Sequence, residues 1–199
     1  MRQLVACVGV VGVVGMGCLV SAQQRIGIID DYHSWEGGFS ITPHKVFNLF
    51  PREQKGREMN LLLELIEERK LPAVVIKGQI SKFTNPKNLT LKEWSDSGRR
   101  SWITEPGYKE EKYEEVDWMG GKAWVHTFTF HLVDSYGKAR DRFRMKSIRY
   151  MRKGSGYWFV FYANPQFFED YVRAWDASLK TLKWDDEKPN KDKEGGGGL

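Results

Sequence analysis

Four basic side chains recur at every second position in one stretch of this chain: Arg140, Arg142, Arg144 and Lys146. Alternate residues of a strand project from one face, so the four form a row, with Asp141, Phe143 and Met145 on the other side. Like charges at that spacing repel unless something answers them. Two answers are open. Carboxylates on neighbouring strands or on a covering helix would make the row a set of internal ion pairs. Exposure would make it a docking surface for an acidic protein, an anionic lipid headgroup or a polyanion.

Other residues have chemistry to weigh. Asp31, His33 and Glu36 lie close together in the segment DDYHSWE and could hold a hard cation or zinc. They lack a firm ligand spacing, and the plainer reading is a solvated lead-in. His126 and His131 stand five apart on one predicted strand, so they face opposite ways and cannot share a metal. Glu110-Glu111 and Glu114-Glu115 offer carboxylate pairs for acid–base chemistry. Alternating along an edge strand, such charges ordinarily guard against aggregation. Trp118, Trp124 and Trp158 could form a sugar-binding platform, although tryptophans spread over alternating strands more often build a core. There is no nucleophile elbow, P-loop, zincin motif or dinucleotide fingerprint. No catalytic, cofactor or metal residue is therefore assigned. The reading is a non-enzymatic binding module. The alternative is a cell-envelope hydrolase with an unrecognised carboxylate pair.

The ends of the chain say where such a module would work. Met1-Arg2-Gln3 precedes an uncharged apolar run from Leu4 to Val20, and Ser21-Ala22 leads into a polar start. These are the three parts of a secretory signal, with small residues at Val20 and Ala22 for a cut after Ala22. Two rivals exist. Cys18 could be lipidated if Gly15-Met16-Gly17-Cys18 served as a lipoprotein box, although Gly15 and Met16 suit it poorly. The run could also stay uncut as an anchor, being nearly long enough to span a bilayer. The protein is thus expected outside the cytoplasm, periplasmic or extracellular, or held to the membrane as a lipoprotein.

Both cysteines, Cys7 and Cys18, fall in this segment, so the mature domain has neither disulfide nor thiolate chemistry. Loss of Arg2 leaves 30 basic against 26 acidic side chains, a balance too mild to suggest nucleic acid. Asp185 to Leu199 has no apolar periodicity and ends in four glycines before Leu199, which predicts a disordered tail. The expected organisation is a signal over 1–22, an irregular lead-in over 23–38, one domain over 39–184 and a tail over 185–199.

Within the domain the patterning predicts six strands and three helices. Phe39 to Thr42 alternates as a short strand stopped by Pro43. Met59, Leu62, Leu63 and Ile66 fall at helical spacing and predict a helix over Arg57–Lys70, ended by Leu71-Pro72. Ala73–Lys82 reads as a strand. Thr90-Leu91-Lys92-Glu93 is a capping box, opening a helix that Glu105-Pro106-Gly107 stops. Tyr113–Met119 and Lys122–Val133 are strands around a Gly120-Gly121 hairpin turn, the second with Trp124, His126, Phe128, Phe130 and Leu132 on one face. Ala139–Met151 is a long strand that turns at Gly154-Ser155-Gly156 into Tyr157–Ala163, which is apolar on both faces and so central. Asn164-Pro165 starts a last helix with Phe168, Tyr171, Val172, Trp175, Leu179 and Leu182 as its buried stripe. Successive hairpins require an antiparallel sheet. The fold class is α+β, with about six strands covered by helices on both faces.

From Ala73 to Trp184 this order resembles the PsbP-like domain. Gly38-Phe39-Ser40-Ile41-Thr42-Pro43 is similar to the family's opening strand, and Thr90-Leu91-Lys92-Glu93-Trp94 to its first helix start. Gly120-Gly121-Lys122-Ala123 is similar to its hairpin before the longest strand. Tyr157-Trp158 through Ala163, Phe167-Phe168 and Ser178-Leu179-Lys180-Thr181-Leu182 are similar to its end. The Arg57–Lys70 helix is longer than the family pattern between the first two strands. The resemblance implies a domain that docks onto other proteins, as an accessory of photosystem II does and as a Ran-GTPase-binding protein of the same fold does. The implied partner is a protein or membrane-associated complex. The resemblance carries over no ligand residue, and fold alone does not name the partner.

The first expected outcome concerns export. N-terminal sequencing or intact mass of the exported protein should give Gln23 as the first residue. An acylated Cys18 at that end would make the protein a lipoprotein instead.

Overall fold

The computed structural model describes residues 31–52, 59–65, 76–84, 88–133 and 138–187. The expected signal and cleavage site lie outside the described residues, as does the tail beyond residue 187. In chain order the elements are β1 (Tyr32–Ser34), β2 (Phe39–Ile41), β3 (Phe47–Arg52), β4 (Met59–Leu65), β5 (Ile76–Thr84) and α1 (Leu91–Ile103). There follow β6 (Lys109–Trp118), β7 (Gly121–Val133), β8 (Ala139–Arg152), β9 (Ser155–Ala163), α2 (Pro165–Lys180) and β10 (Lys183–Trp184).

Two hairpins drive the architecture. Met119 and Gly120 have φ of 47° and 74°, and Lys153 and Gly154 have 49° and 73°. Two consecutive left-handed residues are what a two-residue turn needs to match strand twist. The turns join β6 to β7 and β8 to β9. The seven-stranded sheet runs β3-β4-β5-β9-β8-β7-β6, with every pair antiparallel. A small second sheet runs β1-β2-β10.

β9 is the middle strand, as its two apolar faces require. Tyr157, Phe159, Phe161 and Ala163 join the cluster that contains Phe168, Val172, Trp175 and Leu179 of α2. Trp158 and Val160 join the other cluster, with Phe128, Phe130, Phe143 and Met145, and Trp94 and Trp102 of α1 pack against it. Successive strand side chains alternate between faces. The two helices therefore cover opposite sides of the sheet.

α1 begins as its sequence dictates: Glu93 N–H donates to Thr90 Oγ1 at 3.2 Å and Thr90 N–H to a Glu93 carboxylate oxygen at 2.8 Å. Asn164 holds the cap position of α2 and Pro165 follows it, but the Asn164 side chain does not bond the helix N–H groups. On the α2 stripe, Phe168, Val172, Trp175 and Leu179 are buried, and Tyr171 is half-buried.

Four expectations need correction. The predicted Arg57–Lys70 helix is β4 over Met59–Leu65, paired on one side with β3 and on the other with β5; the rest of that range lies outside the described residues. A seven-residue segment with four leucines satisfies a helical or a strand period, and here ladders on both sides decide. β3 carries no comparable signal and was not expected. These two strands raise the main sheet from about six strands to seven, while Phe39–Ile41 belongs to the small sheet. The lead-in is not wholly irregular, because Tyr32–Ser34 pairs with β2. The tail does not begin at Asp185: Asp185–Glu187 forms a 3₁₀ turn, Asp185 meets His33 at 2.9 Å, and Asp186 takes Arg152 at 2.9 Å and Lys153 at 2.5 Å. His33 on one side and Arg152 with Lys153 on the other hold that acidic stretch to the domain.

Trp175 of α2 is fully buried, with its ring over Gly78 of β5 and stacked near Phe161 at 6.2 Å. A Cβ at position 78 would lie 2.5 Å from the indole, so glycine is what lets the ring seat on the sheet. Trp175→Ala should lower unfolding free energy by about 3–5 kcal/mol in denaturant titration. A loss of under about 1 kcal/mol would mean that α2 does not pack through this face.

Candidate functional site

Arg142, Arg144 and Lys146 lie along the α2 face of β8, Arg140 lies within the register irregularity between the pairs His131–Arg142 and Val133–Ala139, and the row divides in two. At its inner end Lys146 meets the Asp176 carboxylate of α2 with both oxygens at 2.7 Å. Arg144 donates to Glu111 of β6 at 2.8 Å and to Glu169 of α2, and its guanidinium stands 4.4 Å from the Phe168 ring. These two are internally answered. At the outer end Arg140 and Arg142 are exposed. Arg142 donates to Thr129 Oγ1 at 3.2 Å and meets no carboxylate among the described residues. On the neighbouring strand, Leu132 and Val133 are 39% and 38% exposed. Leu132 had been expected to continue the buried face of β7, but the last residues of that strand run beyond the cover of α1.

The other candidates are scattered rather than gathered. His33 turns to Asp185, Asp31 accepts from Thr42, and the Glu36 carbonyl accepts from Lys82 at 2.7 Å. Among the described residues no three His, Cys, Asp or Glu side chains are grouped for a metal. His131 bonds the Arg140 carbonyl at 3.3 Å, far in role from buried His126. Each glutamate of the two pairs is engaged by a different cation: Glu110 by Arg99, Glu111 by Arg144, Glu114 by Lys112 and Glu115 by Lys122. Trp118 packs with Tyr150 and Phe159 in the α2-side cluster, and Trp158 lies in the α1-side cluster, so they do not make one platform.

Sequence reading missed a polar seam between α1 and the sheet. A β-bulge between Glu110 and Lys112 shifts the strand phase, which puts both Glu110 and Tyr113 on the α1 face. Glu110 takes a two-pronged bond from Arg99 at 2.5 and 2.9 Å and accepts from Tyr108 at 2.7 Å. His126 Nε2 stands 3.0 Å from the Tyr108 hydroxyl and 3.3 Å from Glu110. Tyr113 donates to Asp96 at 2.6 Å, and Asp96 also holds Lys92 at 2.6 Å. At the centre of this face lies Arg149, 6% exposed, 5.6 Å from the Trp94 ring and 5.3 Å from that of Trp158. The signal for this seam was Arg149 itself, a cation two positions from Ser147 on the apolar side of an amphipathic strand.

The electrostatics are those of a structural seam. Bonds from Arg99 hold the Glu110 carboxyl below its usual range, and Lys92 does the same for Asp96. Burial raises the Tyr108 and Tyr113 hydroxyls, Tyr113 to about 12. Burial also lowers His126 to about 4, so it is neutral at pH 7.

Among the described residues a seven-stranded antiparallel sheet, built from hairpins, is covered by one helix on each face, and this α+β fold is PsbP-like. Among solved structures, cyanobacterial PsbP (CyanoP) from Synechocystis sp. PCC 6803 matches with a TM-score of 0.53 at 11% identity, over 86% of this chain and 98% of that one. Protein PA94 from Pseudomonas aeruginosa matches with a TM-score of 0.53 at 12% identity, over 68% of this chain and 96% of that one. No protein-family model and no curated protein sequence matches the chain. At such identity the likeness is one of fold.

The seam makes stability depend on pH. An unfolded histidine titrates near 6.5, and folded His126 near 4. Between these values the unfolded chain binds the extra proton, so stability rises with pH there. The His126 contribution is whole above about pH 6.5 and is lost as pH falls toward 4; the lowered carboxyls of Asp96 and Glu110 add losses at still lower pH. Melting followed from pH 7 to 4.5 should fall, and His126→Gln should flatten that slope. An unchanged slope in the variant would remove His126 from the effect.

Proposed function

We propose that this chain is an exported, non-enzymatic accessory protein of the cell envelope that docks onto an acidic protein surface through the outer end of β7 and β8. The observation that carries the reading is the division of the basic row. Two of its members spend their charge on carboxylates within the fold. Arg142 keeps its charge at the surface, and the exposed apolar Val133 lies on the adjacent strand two residues beyond His131, the register partner of Arg142, and so on the same face. An exposed apolar side chain beside arginine is the composition of an interface centre. The surface cation steers encounter with an acidic partner, and the exposed valine supplies apolar area to bury. The PsbP-like fold supports the same reading by analogy, since CyanoP is itself a PsbP.

The test separates docking from folding. Arg142→Glu should leave stability within about ±0.5 kcal/mol, because the side chain is exposed. Arg144→Gln and Lys146→Gln should each be the more destabilising change, by up to about 1 kcal/mol, as they break half-exposed ion pairs. A photocrosslinking residue at position 133 should capture one discrete envelope protein in cells, and Arg142→Glu should reduce that adduct sharply. The same probe at Asp117, a residue of edge strand β6, should not capture it. Equal capture from both positions, or an adduct indifferent to Arg142→Glu, would overturn the docking reading.

A further inference from the structure

Arg149 presents a cation with no counter-charge. It is 6% exposed, and among the described residues neither an ion pair nor a hydrogen bond reaches its guanidinium; its Nε is buried without a partner. The two carboxylates of the α1 seam are committed elsewhere, Asp96 to Lys92 and Tyr113, Glu110 to Arg99 and Tyr108. Trp94 and Trp158 wall the guanidinium with their rings. Aromatic faces attract a cation, but they do not satisfy its N–H groups. Directly across the ladder from Arg149, in register, stands Trp124, whose indole N–H is also buried without an acceptor. His126 Nδ1 is unpartnered as well, but with Nε2 turned to Glu110 and Tyr108 it offers a lone pair and is not counted as a donor. α1 comes close over the guanidinium at Gly98, where a Cβ would lie 1.9 Å from an Arg149 nitrogen.

We propose that Arg149, with the indole N–H of Trp124 beside it and Trp94 and Trp158 as walls, binds one small carboxylate anion. The argument is one of matching. The edge of a guanidinium presents parallel N–H groups that fit the two oxygens of a carboxylate. A single negative charge balances the single surplus positive charge of the seam. The close approach of α1 at Gly98 limits the ligand to a small one. Buried donors without acceptors are rare in folded proteins, and two such donors carried by register partners on adjacent strands are what a bound anion would complete. Burial lowers Arg149 to about 10, which leaves it charged at neutral pH and ready for such a ligand. This site lies on the α1 face, whereas the basic row occupies the α2 face, so the two readings stand or fall separately.

The experiment uses the purified exported protein with sodium formate and sodium acetate as probes, and sodium chloride at matched ionic strength as the control. The Arg149 Nε–H and Trp124 Nε1–H resonances should shift saturably with formate, and the melting temperature should rise with the same midpoint. Arg149→Met should abolish both responses. Arg149→Lys keeps the charge but loses the fork, and should weaken formate binding by about tenfold or more. Arg142→Glu should leave the response intact. Absence of a saturable shift in the wild-type protein would overturn the site. So would chloride acting as strongly as formate, or a formate response in Arg149→Lys equal to that of the wild type. The wild-type resonances and Arg149→Lys decide the matter even if Arg149→Met does not fold.

Discussion

The structure depends on a central strand that is apolar on both faces. β9 alternates Tyr157, Phe159 and Phe161 on one side with Trp158 and Val160 on the other, and all five are buried or nearly so. A strand of that kind cannot lie at an edge or against water on either side. It needs a strand on each flank, β5 and β8, and a helical cover on each face. α1 and α2 supply those covers with amphipathic stripes. The rest of the main sheet extends outward from this point in both directions.

Charge is the second organising demand, and the two faces meet it differently. On the α2 face, Glu169 and Asp176 of the helix reach down to Arg144 and Lys146 of β8, so the row becomes part of the helix–sheet contact. On the α1 face, Lys92–Asp96 and Arg99–Glu110 balance each other and Arg149 remains over. The bulge in β6 makes the second arrangement possible. Were Glu111 paired in regular alternation instead of bulged, Glu110 and Tyr113 would point to opposite sides, and the α1 face would lose one of them.

Much of this was legible from local signals. The capping box at Thr90, the two-faced apolar strand and the α2 stripe each have a short-range physical cause and lie where the sequence put them, while the two hairpin turns fall earlier than Gly120-Gly121 and Gly154-Ser155-Gly156, at Met119-Gly120 and Lys153-Gly154. What failed was the Met59–Leu65 segment, where a run of leucines satisfies two periods at once and only the neighbouring strands β3 and β5 choose between them. Short strands such as Tyr32–Ser34 and Lys183–Trp184 were invisible because three or two residues carry no periodicity, and the partner of the second is more than 140 residues away along the chain. The basic row was plain as a pattern, but its division was not, since the answering acids sit on a helix and on a distant strand. The Arg149 seam was hidden by the bulge, which changes the phase of β6 at a point no alternation rule marks.

The small sheet has a mechanical consequence. β2 is flanked on one side by β1, close to the start of the domain, and on the other by β10, close to its end. The His33–Asp185 bond and the backbone bond from Asp185 to Gly38 add to the same seam. Tension applied between the two ends of the domain is therefore borne first by a few short ladders. The seven-stranded sheet lies outside that load path. Held at one end and pulled through the other, the domain would yield at this clasp before its large sheet and both helical covers.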